Sequence, residues 1–333
     1  MNNKKIIMFS SIAFLILIGL FLVFKTSNDP LVGSAFFFNE KNSIDIGFLP
    51  VLVNLPLFVA LEEGYFEDYG IKVNAIEANS PNDVLNAILS GKLDGAGVLA
   101  TPILYLSEGR NPGQIKIFTT GDETQENFVS AIIVRNDSNI NEINDLKGQD
   151  IGVYQGAVQV LFLKSMILGM GLEIDDIEIV EISPTLQIQG LQSGHFNVLS
   201  TVEPFNTIAV ENGIGKVLIE NPRIKYILDP FPSVATPLSQ KFIKNHPYLA
   251  RNYILALNDA IDFINNNPEE AKKHLVKYTP ITEDIVHKVN ILQFNKFGEE
   301  NVSNMQKFAD YMFENGLLNS NIQVESMFGE MFD

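Results

Sequence analysis

The sequence predicts an α/β protein of two similar lobes, each built on a mostly parallel sheet, behind an apolar N-terminal segment. Three observations predict this. Short apolar runs alternate with helical stretches from residue 44 onward, the pattern of βαβ units. A helix, a glycine stop, a strand and a proline-started helix occur twice, once from Ser80 and again from Ser183. The chain has 333 residues, room for roughly two domains.

The elements follow in order. Lys4 and Lys5 precede residues 6–24, which carry no charge, and Lys25 closes the run. About 20 apolar residues can span a bilayer, so residues 1–25 read as an uncleaved anchor, with a cleaved secretory signal as the alternative. The excess of positive charge ahead of the run places residues 26–333 outside the cytoplasm. Residues 26–43 read as a linker. A strand is expected over 44–49, then a helix opened by Pro56 and ended near Gly64. Another strand covers 71–76. Ser80 is placed to cap a helix whose first residue is Pro81, with Asp83 as its partner and Gly91 as its stop. A strand over 93–99 and a helix from Thr101-Pro102 complete this unit.

The second unit repeats the first. Ser80-Pro81 leads through Ser90-Gly91 to Thr101-Pro102, and Ser183-Pro184 leads through Ser193-Gly194 to Glu203-Pro204. Strands at 150–154 and 178–182 and a helix over 156–168 fit the same plan. Pro230, Pro232 and Pro237 punctuate a return segment, and residues 239–333 are helical in pattern, most clearly over 249–264. Lobe one therefore takes 44–135 and 229–333, and lobe two takes 136–228.

Composition removes several functions. Forty acidic residues against 23 basic ones give a net charge of −17, which argues against nucleic acid as a partner. Cysteine is absent, so disulfides, Cys-ligated zinc and thiol nucleophiles are excluded. His195, His246, His274 and His287 are scattered, with no metal-ligand spacing. No nucleophile elbow or phosphate-binding fingerprint occurs. No catalytic residue, metal or cofactor is expected.

Parallel sheets bind ligands beyond the carboxyl ends of their strands. The loops expected there are 50–56, 99–102, 119–125, 154–159 and 201–205. They supply Asn54, Leu55, Thr101, Thr120, Gln155, Gly156, Gln159, Thr201 and Glu203 as candidate ligand contacts. None of these loops holds Lys or Arg, while Asp122, Glu123 and Glu203 are acidic. The ligand expected is neutral or cationic.

Several segments together resemble a known family. Gly47-Phe48-Leu49 leads to Pro56 and Glu63-Gly64-Tyr65-Phe66; Asp94-Gly95-Ala96-Gly97 leads to Thr101-Pro102; Asp145-Leu146-Lys147-Gly148 precedes Gly156; Leu191-Gln192-Ser193-Gly194 leads to Glu203-Pro204. Over residues 44–265 the chain is similar to the nitrate/sulfonate/taurine and thiamine-pyrimidine substrate-binding proteins of ABC importers. The resemblance implies a type II periplasmic-binding-protein fold, two lobes joined by a hinge, with Asn54, Thr101, Gln155 and Glu203 among the ligand contacts. It implies no cofactor, and an ABC permease as partner. Asn197 stands where an Asp is expected. The expectation is a monomeric, membrane-tethered solute-binding protein, its ligand a nitrogen heterocycle such as a thiamine-pyrimidine precursor. The alternatives are a small oxyanion as ligand, or an enzyme or sensor on the same fold.

Overall fold

The computed structural model describes residue 41 and residues 43–183 and 186–330. Residues 42–333 form one compact unit, within which two sheets each carry helices on both faces. The expected anchor lies outside the described residues, and so does most of the linker; Ser43 already belongs to the first strand.

The chain opens with β1 (Ser43–Phe48), α1 (Leu55–Glu62), α2 (Tyr65–Asp68) and β2 (Lys72–Glu77). Next come α3 (Pro81–Leu89), the short β3 (Gly95–Ala96) and β4 (Leu99–Ala100), α4 (Thr101–Arg110) and β5 (Ile115–Glu123). Ser80 caps α3 as its type predicts, its hydroxyl accepting from the Asp83 N–H at 3.1 Å. The chain then crosses to a second sheet. It forms β6 (Ser130–Arg135), β7 (Asp150–Tyr154), α5 (Ala157–Gly169) and β8 (Glu178–Ile182). There follow α6 (Gln187–Ser193), β9 (Val198–Val202), α7 (Phe205–Glu211), β10 (Gly215–Glu220) and the short α8 (Pro222–Tyr226). It returns as β11 (Phe231–Ser239) and finishes with α9 (Gln240–Asn245), α10 (Pro247–Asn266), α11 (Pro268–Lys273), α12 (Leu275–Tyr278), β12 (Gln293–Asn295) and α13 (Val302–Glu314).

Sheet one has the order β12-β5-β11-β3-β1-β2, with β4 pairing β11; sheet two has the order β10-β6-β9-β7-β8. Most strands in each sheet run the same way, as predicted. The reversed strands are β11 and β12 in sheet one and β6 in sheet two. For β6 and β11 the direction has a simple cause. The chain crosses between lobes at the carboxyl ends of the forward strands, so a strand arriving from the other lobe must run backwards. Ser130 at the start of β6 pairs with Val202 at the end of β9, and Phe231 at the start of β11 pairs with Glu123 at the end of β5.

Two differences from expectation follow from this crossing. Strand β6 belongs to sheet two, so lobe one yields the chain at 124–129 rather than after residue 135. Residues 119–123, expected in a loop, continue β5. The prolines of the return segment do not break β11. Its pairing shifts register between Pro232 and Val234 and between Ala235 and Pro237, and bulges are where a strand tolerates proline.

The sequence repeat is a structural one. Each copy is a helix ended by a left-handed glycine (Gly91 at φ 76°, Gly194 at φ 75°), then a strand beside the lobe's first parallel strand. In the first copy the Asp94 carboxylate accepts from the Asp45 N–H at 2.7 Å. The matching Asn197 only lends its carbonyl to the Arg135 N–H.

In lobe one, α1 and α10 bury one face of the sheet, with Phe66 and Tyr253 stacked at 5.5 Å. The other face is covered by α3, α4 and α13. Val158 and Phe162 of α5 join this second cluster, although α5 belongs to lobe two. Helix α8 rests on the end of α5. A Cβ on Gly169 would stand 1.7 Å from the Tyr226 carbonyl oxygen, so only glycine allows that approach.

Candidate functional site

A cavity of about 70 Å³ lies where the carboxyl ends of the strands of both sheets face each other. That is well above the ~10–15 Å³ one water needs. Lobe one contributes a mainly apolar wall of Leu49, Val51, Val53, Val98 and Leu99, and lobe two contributes Tyr154, Gln159, Phe162, Val202 and Glu203. The crossover segments add Val129, Arg223 and Ser233.

Glu203 follows β9 directly and is 3% exposed. Its carboxylate accepts from the Thr207 hydroxyl at 2.8 Å and from the Thr207 N–H at 3.3 Å. The Asn290 N–H of lobe one also reaches it, at 3.5 Å. Burial outweighs these bonds and pushes its pKa up to about 7. In sheet one, burial raises Asp122 to about 6 against the lowering effect of the Asn295 amide.

The second charged group is one that loop-by-loop reading does not reveal. Arg223, on α8, donates from Nη1 to the Glu123 carboxylate at 2.6 Å and to the Ser233 hydroxyl at 3.3 Å. Glu123 also accepts from the Ser130 N–H at 3.1 Å and from the Ser130 hydroxyl. The pair is almost completely buried, with side-chain exposures of 5% and 0%. It ties the outgoing crossover, Glu123 to Ser130, to the returning one, Arg223 to Ser233. The guanidinium carbon sits 4.1 Å from the centre of the Phe162 ring and 5.6 Å from that of Phe231. The partner lies one hundred positions away in sequence, beyond any local pattern.

Of the nine candidate contacts, Asn54, Gln159 and Glu203 line the cavity. The other six are not among its lining residues. Leu55 is fully buried in the core of lobe one. The Thr101 hydroxyl donates to the Pro232 carbonyl at 2.7 Å, and that of Thr201 to the Gln187 side-chain oxygen at 2.6 Å. The Thr120 hydroxyl accepts from the Asn295 amide at 3.0 Å. Gln155 is exposed. The Gly156 N–H, at the start of α5, is taken by the Glu181 carboxylate at 2.7 Å. Short polar side chains at strand ends here tie loops together rather than facing the space between the lobes.

Asn54 shows this double use. Its amide donates to the Leu49 carbonyl at 3.0 Å and accepts from the Val98 N–H at 2.9 Å. Replacing it with Ala leaves the buried Val98 N–H unpaired, while the Leu49 carbonyl keeps the Val51 N–H at 2.7 Å. The variant is expected to lose about 1–3 kcal/mol of stability in urea unfolding, and a loss below about 0.5 kcal/mol would contradict that role. Among the described residues, no group of three or more His, Cys, Asp and Glu is placed to hold a metal ion. None of the described helices is long and apolar enough to cross a membrane.

Comparison with known proteins fits this architecture. The family described as NMT1/THI5 like matches residues 53–271. The putative aliphatic sulfonates-binding protein of Bacillus subtilis is 24% identical over 83% of this chain and 83% of its own length. The 4-amino-5-hydroxymethyl-2-methylpyrimidine phosphate synthase THI13 of Saccharomyces cerevisiae is 21% identical over 75% of this chain and 74% of its own. The nitrate import ATP-binding protein NrtC of Synechocystis is 23% identical over 68% of this chain, which spans only 36% of that protein. Among solved structures, the periplasmic aliphatic sulphonate binding protein SsuA of Escherichia coli superposes with a TM-score of 0.70 at 14% identity, over 87% of this chain and 92% of that one. That likeness shows the periplasmic-binding-protein fold.

Proposed function

Because the chain belongs to the NMT1/THI5-like family, we propose that it is a solute-binding protein that closes its two lobes on a small molecule and delivers it to an ABC permease. The observation that carries the reading is the cavity itself. It sits at the strand ends of both sheets, is bounded by both crossovers, and holds one carboxyl and one guanidinium inside apolar walls. Such a site suits a small, largely apolar ligand with a few polar points. Both lobes come from one chain, so a monomer suffices. The uncharged run at 6–24, flanked by Lys4, Lys5 and Lys25, supports attachment to the outer face of the cell membrane as an uncleaved anchor.

The ligand class we favour is a neutral or cationic nitrogen heterocycle of the aminopyrimidine type. Glu203 supports it, because a buried carboxylate gains most from a donor or cation brought to it. A small oxyanion is the second reading, supported by the sulfonate- and nitrate-named relatives and by Arg223 in the wall. Thermal unfolding of the full chain with 4-amino-2-methylpyrimidine, methanesulfonate and nitrate separates the two. A ligand at ~100 times its Kd adds about 2.7 kcal/mol of stability. We expect the aminopyrimidine to raise the unfolding temperature at pH 7.5 and the two anions to leave it unchanged. A shift with the anions alone would reverse the assignment.

A further inference from the structure

The polar side chains that line the cavity between the lobes fall into two groups. Asn54, Glu203, Arg223 and Ser233 are each at most 4% exposed and hold hydrogen bonds within the protein. Tyr154 and Gln159 differ from them. Both are half-buried, and neither side chain makes a hydrogen bond to any described residue. Their polar atoms are not sealed in, so the hydroxyl and the amide keep surface that another molecule can reach. Tyr154 ends β7 and Gln159 lies in the first turn of α5, so both stand on lobe two. The Tyr154 hydroxyl nevertheless feels lobe one. Burial, and after it the Asp83 carboxylate in the first turn of α3, hold its pKa above the ordinary tyrosine range. Pro81 of that same turn lines the cavity. Tyr154 therefore reaches across the space that the lobes enclose.

We infer that Gln159 and Tyr154 are specificity-determining residues of this cleft. The Gln159 amide pairs with a hydrogen-bond acceptor and a neighbouring donor on one edge of the ligand, and the Tyr154 hydroxyl bonds a further polar atom. The inference rests on the solute-binding reading of the cavity and adds to it which residues choose the solute and by what pattern. That pattern follows from the chemistry of the two side chains. An amide presents one carbonyl acceptor beside an NH2 donor and carries no charge. A flat molecule with a ring nitrogen next to an exocyclic amine matches it with two parallel hydrogen bonds, as an adenine edge does. Opposite them lobe one sets Leu49, Val51, Val53 and Val98, whose side chains suit an apolar face and offer no hydrogen bond. A ligand that fills the cleft also displaces water from the amide and the hydroxyl. One that cannot replace those bonds leaves polar groups unpaired, and a site rejects such an analogue more sharply than one differing by a methyl group.

Isothermal titration of the full chain at pH 7.5 tests this with three probes. They are 4-amino-2-methylpyrimidine, 3-methylaniline, which keeps the shape and the amine but lacks the ring nitrogens, and methanesulfonate. The native chain should bind the aminopyrimidine about tenfold or more tightly than the aniline. Gln159→Met keeps the length of the side chain and removes the amide. It should bind the aminopyrimidine about tenfold more weakly and no longer prefer it to the aniline. Tyr154→Phe should bind it about fivefold more weakly. Urea midpoints of both variants should match that of the native chain, because neither side chain is bonded within the described protein; a merely structural role would move them. Aminopyrimidine binding that both variants retain within about twofold overturns the inference and leaves the solute-binding reading intact. Equal affinity of the native chain for the aminopyrimidine and the aniline does the same. Binding of methanesulfonate alone overturns the donor–acceptor edge and the heterocycle with it. No binding by any probe overturns both readings. If Gln159→Met does not fold, Gln159→Leu takes its place with the same expected loss.

Discussion

Arg223→Met is expected to lower the stability of the protein by roughly 3–5 kcal/mol, the cost of leaving a buried partner charge uncompensated. Glu123 would keep its bonds from Ser130 but lose the guanidinium that balances it. The companion variant identifies the cause. With Glu123→Gln added, no buried charge remains and most of the loss should be recovered, since replacing both partners of a buried pair is often nearly neutral. Urea unfolding of the two variants and the native chain at pH 7.5 measures the difference. If Arg223→Met alone costs under about 1 kcal/mol, the pair is not the tie between the crossovers that its burial indicates.

The second large effect concerns pH. Burial raises the Glu203 pKa from 4.5 to about 7, so the folded state holds this proton more tightly than the unfolded chain. The stability this provides is complete below about pH 4.5, fades as pH rises to about 7, and is gone above it. Glu203→Gln is neutral throughout and escapes that loss. Relative to the native chain, the variant should gain about 3 kcal/mol at pH 8 and almost nothing at pH 4. A slope remains in both proteins because Asp122, raised to about 6, titrates over part of the same range. Unfolding curves at pH 4, 6 and 8 test this. Equal differences at all three values would mean that Glu203 titrates alike in the folded and the unfolded chain. The same change should weaken binding of a cationic heterocycle, so stability and affinity would move in opposite directions.

What the sequence reveals depends on how local the controlling physics is. The start of α3 is visible because Ser80, Pro81 and Asp83 act on one another within a single turn. The doubling of the fold is visible because each copy needs a helix stop, and Gly91 and Gly194 supply it at the same left-handed angle. Helix α10 is visible because its buried face repeats with the period of the helix. Other features are set by distant partners. The run 119–123 looks like a polar loop, yet Thr119 pairs with the Thr236 hydroxyl at 2.7 Å and Glu123 with Arg223. Its polarity serves contacts from β11 and α8, one hundred or more positions further on. Thr101 and Thr201 sit at strand ends, where a sheet of this kind binds ligands, but their hydroxyls are spent on neighbouring segments. Glu203 could be read as a site residue because a carboxylate between a strand and a proline stands out. Arg223 could not, because nothing in Asn221-Pro222-Arg223 separates a surface basic residue from a buried one.

The reversed strand β11 also bears on how the chain is made. It lies in the middle of sheet one, between β5 and β3. Until residues 231–239 have emerged, the first 123 residues cannot join β5 to the rest of its sheet. Sheet two has no such debt to later sequence, since all its strands fall within 130–220. A chain emerging vectorially therefore presents a completable second lobe before a completable first one. For that interval the apolar edges of β3 and β5 are left without their shared neighbour, the kind of exposed strand edge that invites wrong pairing. Contacts of high sequence separation are slow to form because the intervening chain must first be closed into a loop. Lobe one, although it starts first, is thus the last to be finished.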